Sequence, residues 1–141
     1  PDTELYSTFR ANNANRRSMV YVGANDGMLH GFDATTGEEL FAYVPGRLLG
    51  KVSELTNPDY EAETYVDGRM SVVDAYDEFP ACGVGQSCWR TILVGSLRGG
   101  GQGIYALDIT DPEAFVAAVI LTFHFFLLLW QHELVGLDQA P

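Results

Sequence analysis

Residues Met19 to Pro45 read MVYVGANDGMLHGFDATTGEELFAYVP. Three apolar runs are separated by two turn signals. Met19–Ala24 reads as a strand, and Asn25-Asp26-Gly27 follows it. That triplet tolerates the positive φ that a tight hairpin turn demands. Met28–Ala34 is the return strand, Thr35-Thr36-Gly37 the second turn, and Glu38–Val44 the third strand. Three consecutive antiparallel strands joined by tight turns make a meander, with Asn25, Asp26, Gly27 and Gly37 as its structural turn residues.

The pattern changes past Pro45-Gly46. Leu48, Leu49, Val52 and Leu55 recur at helical spacing, which predicts a short amphipathic helix over Arg47–Leu55, broken by Asn57-Pro58-Asp59. Further strands are expected at Thr64–Asp67, Met70–Tyr76, Trp89–Leu97 and Ile104–Ile109. Gly99–Gly103 reads as a flexible loop. Residues 1–18 are polar, with three Asn and two Arg between 12 and 17, and read as a weakly ordered linker or lead-in strand. Residues 19–112 then form the strand-rich body, and 113–141 a divergent hydrophobic C-terminal segment.

The body contains an echo. MVYVGANDGMLHGFDATTGEE and TILVGSLRGGGQGIYALDITDPE share one plan: apolar strand, Gly, polar Gly-rich turn, apolar strand, Asp, Thr-containing turn, acid. Gly23 matches Gly95 and Asp33 matches Asp108. Repeated sheets of this kind predict an all-β, partial β-propeller of antiparallel four-stranded blades with a short helical insertion. The interval from Asp33 to Asp108 exceeds one blade of about 40–45 residues in a WD-type propeller. The helical insertion and the cysteine loop absorb the excess. The chain holds about two or three blades and leaves open sheet edges.

The totals agree with a globular, turn-rich protein: 141 residues, 47% hydrophobic, 15 glycines. Eight basic against 19 acidic residues give a net charge of −11, a surface that repels phosphate backbones, so no nucleic-acid partner is expected. The chain opens on Pro1 and reads as a piece of a longer one. Its two cysteines, Cys82 and Cys88 in CGVGQSCW, are compatible with a small disulfide loop in an oxidising compartment or with two free thiols. A zinc site needs about four ligands at matched spacing, and neither a second Cys pair nor a paired His motif occurs. Ala114–Trp130 is apolar except for Thr122 and His124. It reads first as a buried or partly helical segment and second as a membrane span near the lower length limit of about 17 residues. A sequence artefact is the third reading.

Candidate chemistry is sparse. Gly101-Gln102-Gly103-Ile104-Tyr105-Ala106 fits G-x-G-x-x-A, but a strand pattern follows where a dinucleotide fingerprint needs a helix. The nucleophile elbow and the twelve-residue calcium loop are absent. Asp108, Asp111 and Glu113 are read as turn caps in preference to cation ligands. His30 lies mid-strand with no carboxylate or nucleophile at a telling offset, and reads as a satisfied or exposed strand histidine. No catalytic, cofactor or metal residue is assigned.

Four blocks together, YVGANDGMLHGFDATTGEELFAYVP, VSELTNPDY, YVDGRMSVVDAY and WRTILVGSLRGGGQGIYALDITDP, resemble the C-terminal β-propeller of the PilC/PilY type IV pilus proteins. Their order and spacing agree from Ser18 to about Pro112. The resemblance implies a seven-bladed, quinoprotein-like propeller at the pilus tip or outer surface of a Gram-negative-type bacterium. It implies pilus assembly, retraction control and adhesion, with no enzymatic reaction. The implied partners are minor pilus subunits or a host or surface ligand; membrane association through 114–130 is not favoured. Some relatives carry a calcium loop rich in Asp and Asn. No matching loop occurs here, so no cofactor is expected in this piece, and calcium is left to other parts of the longer protein. The implied oxidising compartment favours a Cys82–Cys88 bridge. Past Pro112, Glu113-Ala114-Phe115 fits the family's turn, but the apolar stretch before Leu129-Trp130-Gln131 departs from its pattern.

The competing reading is a blade of a pyrroloquinoline-quinone-dependent dehydrogenase, whose first block is similar. Such blades usually carry a docking Trp in A-x-D-x-x-T-G-x-x-x-W. Here Phe41 stands where that Trp would, which favours the pilus reading.

Overall fold

The computed structural model describes residues 5–114, and the apolar run that begins at Ala114 otherwise lies outside the described residues, as does the strand expected at Leu129-Trp130-Gln131. A helix, α1 (Tyr6–Asn12), leads into two three-stranded antiparallel sheets. The first is β1 (Met19–Gly23), β2 (Leu29–Asp33) and β3 (Glu39–Tyr43); the second is β4 (Met70–Asp77), β5 (Cys88–Ser96) and β6 (Ile104–Asp108). Short 3₁₀ helices fill the connections.

The meander forms where turn chemistry and alternation place it. Val22 pairs with His30, and His30 with Ala42. Leu29, Gly31 and Asp33 turn to the buried side of β2, while His30 and Phe32 face the other way. Phe41 lies opposite Gly31, and a Cβ at Gly31 would overlap its ring. Between Gly31 and Phe32 the β2–β3 register shifts, so that Phe32 faces Glu39 and Leu40 is the extra residue. One core serves both sheets: Leu29 and Phe41 from the first join Leu93, Tyr105 and Leu107 from the second. The Tyr43 and Tyr105 rings meet at 5.8 Å between centroids.

Four expectations change. Each sheet has three described strands where four were expected. By the echo, β5 and β6 correspond to β1 and β2. The first sheet therefore shows the strand after its hairpin, and the second shows the strand before its own. The helix expected over Arg47–Leu55 is two 3₁₀ helices, Gly46–Leu48 and Val52–Thr56. Gly50 between them lacks the side chain and the propensity that would carry an α-helix through. Leu48 is buried, but Leu49 is 49% exposed, so the apolar residues do not line one face. Thr64–Asp67 is not a strand. Tyr65 and Val66 are buried, and this segment crosses the β1–β2 turn, with Val66 N–H donating to Ala24 O at 3.2 Å.

The fourth change concerns the lead-in, read as a weakly ordered linker or strand: among the described residues, Tyr6–Asn12 forms α1. The seven-residue helix has no side-chain N-cap and is far too short to be stable alone. Packing on the second sheet holds it: Tyr6 lies 4.6 Å from Trp89, centroid to centroid, and Phe9 is buried. Tyr6 Oη donates to Asp74 Oδ2 at 2.8 Å. Thr91 Oγ1 donates to Asp74 Oδ1 at 2.7 Å and accepts from Arg16 Nη1 at 2.8 Å.

Candidate functional site

The opening stretch concentrates the polar geometry of the first sheet. In the β1–β2 turn Gly27 has φ of +93°, a conformation a Cβ would strain. Ala24 N–H donates to Met28 O at 3.0 Å and closes the turn. Asp26 Oδ1 accepts from Met28 N–H at 3.0 Å. Asn25 has a second role: its Oδ1 accepts from Tyr65 N–H at 3.3 Å and ties the turn to the crossing segment.

In the β2–β3 turn, Gly37 has φ of +75° and its N–H donates to Asp33 O at 2.9 Å. The buried Asp33 carboxylate organises this turn. Its Oδ1 accepts from the N–H groups of Thr35 at 2.6 Å and Thr36 at 2.9 Å. These bonds, Thr36 first and then Thr35, hold its pKa below the usual carboxylate value, and the Arg17 guanidinium adds to them. The equivalent carboxylate of the echo does similar work, as Asp108 Oδ1 accepts from Thr110 N–H at 3.0 Å. The match is one residue out of step, however. Gly23 pairs with Leu29 and Gly95 with Tyr105, both buried, but Asp33 lies four residues beyond Leu29 and Asp108 three beyond Tyr105. Asp33 therefore turns to the core face and Asp108 to the opposite one, where Arg90 Nε meets its Oδ2 at 2.6 Å.

His30 has the partners its sequence neighbourhood did not reveal. Its Nδ1 lies 2.7 Å from Glu39 Oε1 and its Nε2 2.9 Å from Asp26 Oδ2. Its pKa is raised, chiefly by the hydrogen bond to Glu39, against a smaller opposing effect of desolvation and with further support from Asp26. The expectation that no carboxylate stands at a telling position is thus corrected. The His30–Asp26 offset of four residues was visible, but the Glu39 contact depends on the strand register. Among the described residues no nucleophile joins the trio, and it reads as a charge cluster, not as a general base with a substrate position.

The cysteine loop joins β4 to β5. Cys82 and Cys88 are bridged, with Cα atoms 5.6 Å apart. Val84, at the loop tip, is fully exposed.

Asp108, Asp111 and Glu113 do not converge on a cation position. Asp111 Oδ1 accepts from Glu113 N–H at 3.0 Å, and Glu113 Oε1 pairs with Arg17 Nε at 2.7 Å. Among the described residues no group of three His, Cys, Asp or Glu side chains is arranged to hold a metal. Gly101-Gln102-Gly103 runs into β6 and not into a helix, so it offers no helix N-terminus to a pyrophosphate. Phe41, at the docking-Trp position, is buried against Gly31 and lies 6.1 Å from the Tyr21 ring. Among the described residues no helix is long and apolar enough to cross a membrane.

Comparison with known proteins fits this arrangement. The family described as the PilY1 beta-propeller domain matches residues 1–130. A type IV pilus biogenesis factor PilY1 homolog of Xylella fastidiosa strain Temecula1 is 50% identical over 108 residues, covering 77% of this chain and 8% of that protein. The type IV pilus biogenesis factor PilY1 of Pseudomonas aeruginosa strain PAO1 is 42% identical over 139 residues, covering 96% of this chain and 10% of that protein. This chain thus spans about a tenth of the length of these relatives. The crystal structure of the Pseudomonas aeruginosa PilY1 C-terminal domain superposes with a TM-score of 0.55 at 46% identity, covering 76% of this chain and 18% of that one. These relatives are named as pilus biogenesis factors and not as enzymes. With two antiparallel sheets sharing one core and a family match over nearly its whole length, the chain belongs to the PilY1 beta-propeller domain family.

Proposed function

We propose that this chain is part of the β-propeller of a type IV pilus biogenesis factor. In that reading it supports pilus assembly and retraction control, and adhesion, at the cell surface, without catalysing a reaction. The observation that carries the reading is the 42% identity to the Pseudomonas aeruginosa PilY1 maintained over 139 residues. Identity of that extent reaches across turns, sheet cores and the connections between them.

The site geometry agrees with a scaffold. Asp26, Asp33, Asp108 and Glu113 are engaged in turns, and in ion pairs with Arg, or with His30 if its ring is protonated. The propeller would work by presenting loops to minor pilus subunits or to a surface ligand, and this piece would hold no quinone cofactor. The test is replacement of the matching segment of the Pseudomonas aeruginosa relative by residues 5–114 of this chain in the full-length protein. Restored surface pili and twitching motility are the expected result. Stoichiometric binding of pyrroloquinoline quinone with alcohol oxidation by the full-length protein that contains this chain would overturn the reading.

A further inference from the structure

His30 sits where three parts of the first sheet meet. It pairs with Val22 of β1 and Ala42 of β3. Its two ring nitrogens point at carboxylates from different elements, Asp26 of the β1–β2 turn at 2.9 Å and Glu39 of β3 at 2.7 Å. From β1 the groups on this face are apolar, Val20 and Val22, and from its own strand Phe32 stacks at 6.0 Å. Among the described residues, Asp26 and Glu39 are thus the charged groups that face the ring from the elements around it.

Ionised carboxylates only accept hydrogen bonds, while a neutral imidazole carries a single N–H. Both contacts are hydrogen bonds only when both ring nitrogens are protonated. A neutral ring leaves one nitrogen lone pair facing one carboxylate. We propose that His30 is a pH-sensitive staple that fastens the β1–β2 turn to β3 while its ring is charged and releases one of the two when the ring is neutral. Only a charged ring lets both contacts be hydrogen bonds to ionised carboxylates, and the raised pKa of His30 follows from the same contacts.

The sign follows from linkage. A histidine whose folded pKa lies above its unfolded value of about 6.5 contributes stability that is fully present below that value. The contribution is lost as pH rises through the raised folded value. The staple therefore opens on the alkaline side of the ordinary histidine range and stays closed in mild acid. Release has a local target. Asp26 also holds Met28 N–H, and its neighbour Asn25 holds Tyr65 N–H. A loosened Asp26 frees the turn and weakens its tie to the buried Tyr65.

Hydrogen exchange of the full-length protein, read by mass spectrometry on peptides spanning residues 24–30, tests this at pH 6 and pH 9. Rates are corrected for the intrinsic pH dependence of amide exchange. The expected result is a several-fold loss of protection in the wild type at the higher pH, with β5 peptides unchanged. His30→Gln is expected to abolish the pH dependence. Glu39→Gln is expected to move the transition to lower pH, because it removes the larger stabiliser of the charged ring. Equal protection at both pH values would overturn the proposal. So would a transition that persists in His30→Gln, or one that keeps its midpoint in Glu39→Gln.

Discussion

Arg16 and Arg17 are neighbours in the chain but hold different sheets. Arg16 Nη1 donates to Thr91 Oγ1 of β5 at 2.8 Å, while Arg17 pairs with Asp33 of β2 at 3.4 Å and with Glu113 at 2.7 Å. The segment between α1 and β1 is thus a bracket across the two sheets. Thr91 is its hub, since its hydroxyl also donates to Asp74, which receives Tyr6 from α1.

Thr91→Val keeps the shape of this buried residue and removes the hydroxyl. Asp74 and Arg16 each lose a partner in a part-buried setting, a change expected to cost about 1–3 kcal/mol. Because the lost bonds anchor α1, amides of residues 9–12 should exchange faster while those of β2 keep their protection. Uniform protection in the variant would show that the aromatic contacts with Trp89 hold α1 unaided.

The Asp33 carboxylate accepts two turn N–H groups and lies beside Arg17, and its pKa is lowered. A depressed folded pKa gives stability that is present above the unfolded value of about 4 and lost as pH falls through the folded value. Asp33→Asn should lower the thermal midpoint at pH 7 and flatten its fall below pH of about 4. Parallel acid limbs for variant and wild type would count against this assignment.

Gly31 is tight against the Phe41 ring, which closes over it from β3. Gly31→Ala forces that ring to move in a shared core and should destabilise by about 1–3 kcal/mol. Phe41→Leu in the same chain should recover part of the loss by opening the space. Equal stability of Gly31→Ala and the wild type would mean that the ring relocates freely.

The same strands show what a sequence can and cannot disclose. The meander is legible because its determinants are local: alternation sets the strands, and Asn25-Asp26-Gly27 and Thr36-Gly37 set the turns. The His30–Glu39 contact is not, because the bulge after Gly31 decides it. In regular register Leu40 would face Phe32, and Glu39 would point to the core side. The register shift instead places Glu39 opposite Phe32, on the face of His30. α1 was illegible for a different reason, since its order comes from Trp89 and Asp74, residues remote in sequence. The echo matched Asp33 with Asp108, and Asp108 was legible as a turn cap, but the anchoring role of Asp33 was not, and a one-residue slip in the second hairpin moved Asp108 to the other face.

Tyr105 is 2% exposed, and its hydroxyl has no hydrogen-bond partner among the described residues. Burial, with the nearby Tyr43, raises its pKa to about 12. An unmatched buried hydroxyl carries a desolvation cost, so Tyr105→Phe should be neutral or stabilising by up to about 1 kcal/mol. A clear loss of stability in denaturant titration would reveal a partner for the hydroxyl in the longer protein.

The Cys82–Cys88 bridge closes a loop of seven residues between β4 and β5. Restricting so short a loop in the unfolded chain contributes about 2 kcal/mol in the chain-entropy account. Replacing both cysteines by serine should therefore lower stability by about that amount. Damage should be confined to the loop, because Tyr76–Trp89 and the pairs beyond it toward Met70–Gly95 hold the hairpin independently. Mass spectrometry of unreduced full-length protein should recover a peptide linked through Cys82 and Cys88, which reduction separates. Two freely alkylated thiols in protein recovered from the cell surface would refute the bridge. They would also weaken the proposed cell-surface location, since short loops of this kind persist as disulfides only where thiols are not kept reduced.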